Sequence, residues 1–144
     1  MDADWFHPVQ DVESESFWRG CLEGKLLLKV CDACSRTHFY PRENCPFCWS
    51  AATRWIEASG RGRLYSYSII HQNPLPPFKA RCPYAVVLVT LEEGPRILSN
   101  WDSDAPLDRL ACDISVMVAF QSIDNGLVLP VFRPDNRAAA LPWE

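Results

Sequence analysis

Four of the seven cysteines fall into two Cys-x-x-Cys pairs, Cys31-Asp32-Ala33-Cys34 and Cys45-Pro46-Phe47-Cys48, with ten residues between the pairs. This spacing lets each pair close a tight knuckle on one ion. Four thiolates at tetrahedral corners are the donor set of a structural zinc ion, with Zn–S distances of about 2.3 Å. Such a shell leaves no open coordination position, so it holds a fold together and does not activate water. Iron also suits four sulfurs.

The other groups that could react make no comparable set. Cys21, Cys82 and Cys112 stand apart, and a nucleophilic cysteine needs a base and a lowered pKa. His71 and Cys82 share one loop, but Pro83 follows the cysteine and nothing fixes their geometry. His7, His38 and His71 form no motif. His38 lies between the cysteine pairs and reads as a solvated or packed strand residue, because four sulfurs already close the shell. Glu92-Glu93 sits in a tight turn, and Asp102 with Asp104 opens a loop where it can cap a helical turn. Neither resembles a shielded acid–base pair. Without a nucleophile, base and oxyanion donor in one constellation, the chain is expected to have no turnover of its own.

The best candidate for binding is the segment from Arg61 to Tyr84. Arg61, Arg63, Lys79 and Arg81 are interleaved with Tyr65, Tyr67, Phe78 and Tyr84. Cations beside aromatic rings suit a ligand with phosphates and a purine, such as CoA. They also suit single-stranded nucleic acid. The bland alternative is that the tyrosines pack a core while the cations solvate its rim. Within the segment, Asn73-Pro74-Leu75-Pro76-Pro77-Phe78 is stiff and carries apolar groups, which lowers the ordering cost at an interface. It can equally be a plain connector.

These residues need elements to position them. Asp11 can cap a helix amide, Phe17, Trp18, Cys21 and Leu22 recur at helical spacing, and Gly24 is a natural stop. Lys25–Val30 and Thr37–Tyr40 read as strands around the first knuckle, the plan of a rubredoxin-like zinc ribbon. A module this small has too little core to fold alone. From about Trp55 the pattern turns to strands. Leu64–Ile70 alternates, with Tyr65, Tyr67 and Ile69 on one side and Leu64, Ser66, Ser68 and Ile70 on the other. Tyr84–Leu91, Arg96–Trp101, Val116–Phe120 and Leu127–Phe132 follow, with a helical turn expected near Leu107–Leu110. Asp124-Asn125-Gly126 is a hairpin signal. Five strands with these hairpins fit a partly open barrel, the OB-fold, although a small sandwich has a similar rhythm. The expected organisation is a helical segment over 1–24, a zinc ribbon over 25–54, an OB-fold over 55–134 and a tail over 135–144.

At 144 residues and 48% apolar content the chain can build a packed core, which excludes a disordered polypeptide. Its formal charge of −4 argues against a partner bound through phosphate neutralisation, whether nucleic acid or an anionic membrane. No stretch of about 18 apolar residues could span a bilayer. The first ten residues carry two aspartates and a histidine, unlike a signal peptide. The chain therefore reads as cytoplasmic, where thiols stay reduced and paired cysteines bind metal.

Several short motifs now make a pattern. Phe17-Trp18 through Gly24-Lys25-Leu26, then Cys31-x-x-Cys34, Tyr40-Pro41-Arg42 and Cys45-Pro46-x-Cys48, are followed by Ser59-Gly60-x-Gly62 with Leu64-Tyr65-Ser66. Pro83–Val89, Leu91-Glu92-Glu93-Gly94 and Leu129-Pro130-x-Phe132-Arg133-Pro134 complete it. In this order the chain resembles, over nearly its whole length, the zinc-ribbon plus OB-fold proteins known as domain of unknown function 35. Two departures are Ser35 and Asp113, which stand where relatives often have glycine; the Ser35 position favours φ > 0. The resemblance implies a non-catalytic accessory subunit of a thiolase-superfamily acyl-CoA enzyme, whether thiolase, synthase or side-chain-cleaving aldolase. It would dock through the OB-fold, help shape an acyl-CoA channel and form a hetero-oligomer. Arg61, Arg63, Phe78, Lys79, Arg81 and Tyr84 are then the expected partner- or CoA-binding residues. A free-standing nucleic-acid-binding ribbon and barrel is the alternative, and the partner of a hydratase with a similar substrate is a third reading.

Overall fold

The computed structural model describes residues 7–123 and 126–137. Helix α1 (Glu15–Leu22) begins after a turn closed by reciprocal bonds between Asp11 and the N-cap residue Ser14, whose own side chain bonds no helix amide. Asp11 Oδ1 accepts from Ser14 N (2.9 Å) and Ser14 Oγ (2.7 Å), and the Asp11 amide donates back to Ser14 Oγ (3.1 Å). Phe17, Trp18 and Cys21 are buried, but Leu22 is exposed, contrary to the expected face. It is the last helical residue and lies about 140° round the axis from Phe17, at the edge of the apolar arc. The helix ends where Gly24 takes φ +74. There the Lys25 amide donates to Gly20 O and the Gly24 amide to Cys21 O, the paired bonds of a Schellman cap.

Three strands make the ribbon: β1 (Leu27–Cys31), β2 (Thr37–His38) and β3 (Thr53–Glu57), in the antiparallel order β2-β1-β3. The third was not foreseen as a ribbon strand. Its register runs from Leu27↔Glu57 to Cys31↔Thr53, so it crosses the junction between ribbon and barrel. Its exposure does not alternate cleanly, and this left no period-2 signal to read.

The barrel comprises β4 (Arg61–Ile70), β5 (Tyr84–Leu91), β6 (Arg96–Trp101), β7 (Ser115–Ser122) and β8 (Val128–Pro134). It closes in the order β4-β5-β6-β8-β7. All neighbours are antiparallel except β6 and β8, which pair in parallel at Asn100↔Val131 and Trp101↔Phe132. This is the five-stranded OB-fold. Asp124 and Asn125 of the expected hairpin turn lie outside the described residues. The expected helical turn is a short 3₁₀ segment, Leu107–Arg109.

The alternation expected in β4 is corrected by a β-bulge. The pairing steps from Leu64↔Val89 to Ser66↔Leu88, leaving Tyr65 as the extra residue. Leu64 therefore leaves the side it was expected to share with Ser66, Ser68 and Ile70. It is fully buried, and Ile69 packs against the same core.

One core runs through both modules. Phe17, Trp18 and Cys21 of the helix, Leu26 and Leu28 of the ribbon, and Leu64, Val87, Val89, Ile97, Val116 and Phe132 of the barrel belong to a single buried cluster. Among the described residues no helix is long and apolar enough to cross a membrane.

At the mouth of β4, Gly60 has φ +78, and a Cβ there would lie 2.5 Å from Val118 Cγ1. Its carbonyl also accepts the Val118 amide at 2.8 Å, which locks the close approach of β7. Gly60→Ala is expected to cost about 1–3 kcal/mol by combined backbone strain and overpacking. A lowered denaturation midpoint with unchanged zinc content checks this.

Candidate functional site

The two knuckles are built alike. The Ser35 amide donates to Cys31 O (2.8 Å) and the Trp49 amide to Cys45 O (2.9 Å). The Cys31 amide donates to Arg36 O and the Cys45 amide to Ser50 O, both at 2.9 Å. Each loop reverses through a left-handed residue after its second cysteine, Ser35 (φ 62) and Trp49 (φ 64). The position expected to favour φ > 0 does have it, although serine occupies it.

These loops bring Cys31 Sγ to 3.6 Å from Cys48 Sγ and Cys34 Sγ to 3.7 Å from Cys45 Sγ, with all four sulfurs within 4.8 Å of one another. Four Zn–S bonds of about 2.3 Å place sulfurs about 3.8 Å apart, so the cysteines are positioned to bind a zinc ion. The electrostatics agree. Burial opposes charge on Cys45, but the Phe47 and Cys48 amides and the neighbouring thiols outweigh it and bring the thiol down to about 7. At Cys48 the Ser50 amide favours the thiolate, yet burial and the other three sulfurs push the thiol up to about 12. Four thiolates this close can all be charged only around a cation.

The expected binding residues do not form one patch. Ile70 pairs with Tyr84 at one end of the β4–β5 ladder and Arg63 with Thr90 towards the other. Thr90 and Tyr84 are six residues apart on β5, so Arg63 and Tyr84 lie about 20 Å apart along the ladder. Arg61 and Arg63 line a groove of about 620 Å³ together with Arg137, Glu92, Asp113 and Asp135. Three acids balance three arginines there. Arg61 pairs with Glu92 at 3.3 Å, and Arg63 donates to Asp113 O at 2.7 Å. Arg96 rests 3.7 Å above the Tyr65 ring at the bulge.

At the far end, a short 3₁₀ turn (Phe78–Arg81) borders a second groove of about 390 Å³. Phe78 and Tyr84 are half-buried, with ring centroids 6.1 Å apart, and Asn73 Nδ2 donates to Tyr84 Oη. Lys79 and Arg81 are exposed. Asn100, Gln121, Leu129 and Val131 on the outer barrel face complete this groove. None of the four was expected from sequence to take part in binding, because they come from three strands that only barrel closure brings together.

The comparisons with known proteins converge. Residues 18–54 match the family described as "ChsH2, rubredoxin-like zinc ribbon domain". Residues 55–121 match the one described as "ChsH2, C-terminal OB-fold domain". A DUF35 domain-containing scaffold protein from Methanocaldococcus jannaschii is 38% identical over 117 residues, covering 77% of this chain and 82% of the relative. The chain belongs to the DUF35 family. A probable enoyl-CoA hydratase alpha subunit from Thermomonospora curvata is 37% identical over 120 residues, 83% of this DUF35 chain. The chain spans only 37% of that relative's length. Among solved structures, the Ltp2-ChsH2(DUF35) aldolase superposes with a TM-score of 0.78 at 32% identity, covering 89% of this chain and 98% of that one.

Other groups in this DUF35 chain serve the fold. Glu93 Oε1 accepts the Ser59 amide at 2.7 Å and Glu92 Oε2 accepts Ser59 Oγ at 3.1 Å, bracing the turn into β4. Asp102 does not cap the 3₁₀ turn as expected. Its Oδ1 accepts the Asp104 amide at 3.0 Å, closing an Asx turn ahead of it. Asp113 takes φ 65, the left-handed conformation that favours glycine. Burial pushes the Cys21 thiol up to about 12, which makes it inert. Cys82 Sγ contacts Phe78 O at 3.4 Å, and among the described residues no hydrogen bond joins it to His71. His38 is buried, and burial, reinforced by the Lys29 charge, holds its pKa down against the opposing pull of the Arg42 backbone.

Zinc binding displaces protons from the thiols, so bound zinc is expected to fall as pH is lowered and to be retained at neutral and higher pH. Metal analysis after equilibration across pH checks the direction. One tightly held zinc per chain is expected. Cys45→Ser should lose it and unfold the ribbon, since structural zinc contributes on the order of 10–16 kcal/mol in small modules. A metal-free protein with an intact ribbon by NMR would contradict this.

Proposed function

We propose that this chain is a non-catalytic accessory subunit of a cytoplasmic thiolase-superfamily acyl-CoA enzyme, such as a thiolase, a synthase or a side-chain-cleaving aldolase. The carrying observation is the likeness to one chain of the Ltp2-ChsH2(DUF35) aldolase, which extends over 89% of this chain and 98% of that chain. The scaffold description of the archaeal relative supports the same reading. In this reading the second groove, with Phe78, Tyr84 and Arg81, is the docking surface on the barrel. It combines the Phe78, Tyr84 and Trp101 rings with one exposed guanidinium, Arg81, and aromatic and arginine side chains are the usual interface anchors. In the same reading the exposed Lys79 and Arg81 contact the phosphates of an acyl-CoA held between the two proteins. The partner supplies the nucleophile and base.

A hydratase as partner is the second reading, favoured by the relative from Thermomonospora curvata. A nucleic-acid partner is disfavoured by the acids that balance Arg61, Arg63 and Arg137 and by the net charge of −4.

The test is co-expression with the thiolase-superfamily and hydratase enzymes of the same source, followed by pull-down and titration calorimetry. The thiolase-superfamily enzyme is expected to co-purify in a defined ratio, and capture of the hydratase alone would favour the second reading. Phe78→Ala and Arg81→Ala should each weaken the complex by about tenfold, with zinc content and melting unchanged. Arg63→Ala should have a smaller effect, because its guanidinium is already committed to Asp113 O. The isolated chain should pass through heparin at low salt and turn over no acyl-CoA.

A further inference from the structure

The second knuckle carries an aromatic tip that the docking groove does not use. Trp49 is 77% exposed and Phe47 52% exposed. Trp49 also has φ 64, a backbone conformation that favours glycine, and its counterpart in the first knuckle is the small polar Ser35. Neither packing nor backbone geometry therefore calls for tryptophan at this position. Among the described residues the hydrogen bonds of Trp49 are through its main chain: its amide donates to Cys45 O, and its carbonyl accepts Asn44 Nδ2 at 3.3 Å. A glycine would keep both.

Charge at the tip narrows what could cover it. Residues 25–54 hold five lysines and arginines against two acids, in a chain whose net charge is −4. Lys25, Arg42 and Arg54 are ion-paired with Glu23, Glu13 and Asp32, and Lys29 lies over the Trp55 ring. Arg36 has no ion pair among the described residues and rests 4.8 Å from the Phe47 ring centroid. Two exposed rings with one uncompensated guanidinium complement an apolar pocket with a carboxylate at its rim. A phosphate backbone would need a row of free cations, which the tip does not have.

We propose that the Cys45–Trp49 knuckle is a second protein-docking element, in which Trp49 inserts into an apolar, acid-rimmed pocket on the partner enzyme while Arg36 meets the rim. This rests on the accessory-subunit reading but concerns a surface remote in sequence from the barrel groove. The metal makes it effective, because a knuckle pinned at two cysteines presents the indole with little loss of freedom on binding.

The experiment is titration calorimetry of the zinc-loaded chain against the purified thiolase-superfamily enzyme of the same source. Trp49→Gly is expected to keep one zinc and an unchanged or raised melting temperature, yet to weaken binding at least tenfold. Trp49→Phe should fall between, and Arg36→Glu should weaken binding several-fold with a reduced salt dependence. If Trp49→Gly binds as tightly as the wild type, the inference is overturned while the accessory-subunit reading stands. If the wild type binds no such enzyme, both fall. Two further assays cover the other occupants. Trp49-dependent binding of oligo(dT) by fluorescence anisotropy, or Trp49-dependent self-association in sedimentation, would replace the proposed protein pocket with a nucleic acid or a second copy of the chain.

Discussion

Four sulfurs held within 4.8 Å of one another set the terms for the amino-terminal half of this protein. Crowded thiolates repel, and only a cation can gather them. Once gathered, they fix far more than two loops. Cys31 is the last residue of β1 and pairs with Thr53 of β3, so the metal shell and the ribbon sheet share a residue and a register. The sheet in turn delivers Leu26 and Leu28 to a core that the ribbon could not build alone.

Helix α1 makes that core common to both modules. Phe17 meets Trp18, Phe39 and Tyr40 at centroid distances of 5.0, 5.4 and 6.1 Å, and Trp18 Nε1 donates to Tyr40 Oη. The same helix lies against β1 and β8. Glu13, just ahead of it, accepts the Glu43 amide at 2.7 Å and pairs with Arg42. The ribbon and barrel are thus joined through a wedge of aromatic rings, which gives an accessory subunit two exposed surfaces in a defined relation.

The barrel surfaces follow from its closure. The β4 bulge re-aims Tyr65 outward beneath Arg96, and the length of β4 carries Arg61 and Arg63 far from the proline-rich loop. Basic residues that look adjacent in a list of motifs become two grooves of different character. One is balanced between three arginines and three acids, and the other sets aromatic rings beside an exposed arginine.

The zinc site was legible in the sequence because metal coordination is local: two short spacings and one donor type specify a tetrahedral shell. The five barrel strands were legible for a similar reason, since period-2 patterning and turn residues act over a few positions. Gly24 and Asp11 declared the helix ends through local hydrogen bonds. Only tertiary structure decided the rest. Whether Thr53–Glu57 joined ribbon or barrel depended on pairing with β1, more than twenty residues earlier. The bulge at Tyr65 inverted the faces of β4 because closure required Leu64 and Ile69 to share one interior. The expected binding segment is divided between two grooves because a ten-residue strand runs through it, and the second groove is assembled from strands distant in the chain. Sequence encodes what neighbours along the chain can enforce. Which side chains converge across a barrel is set by strand order and register.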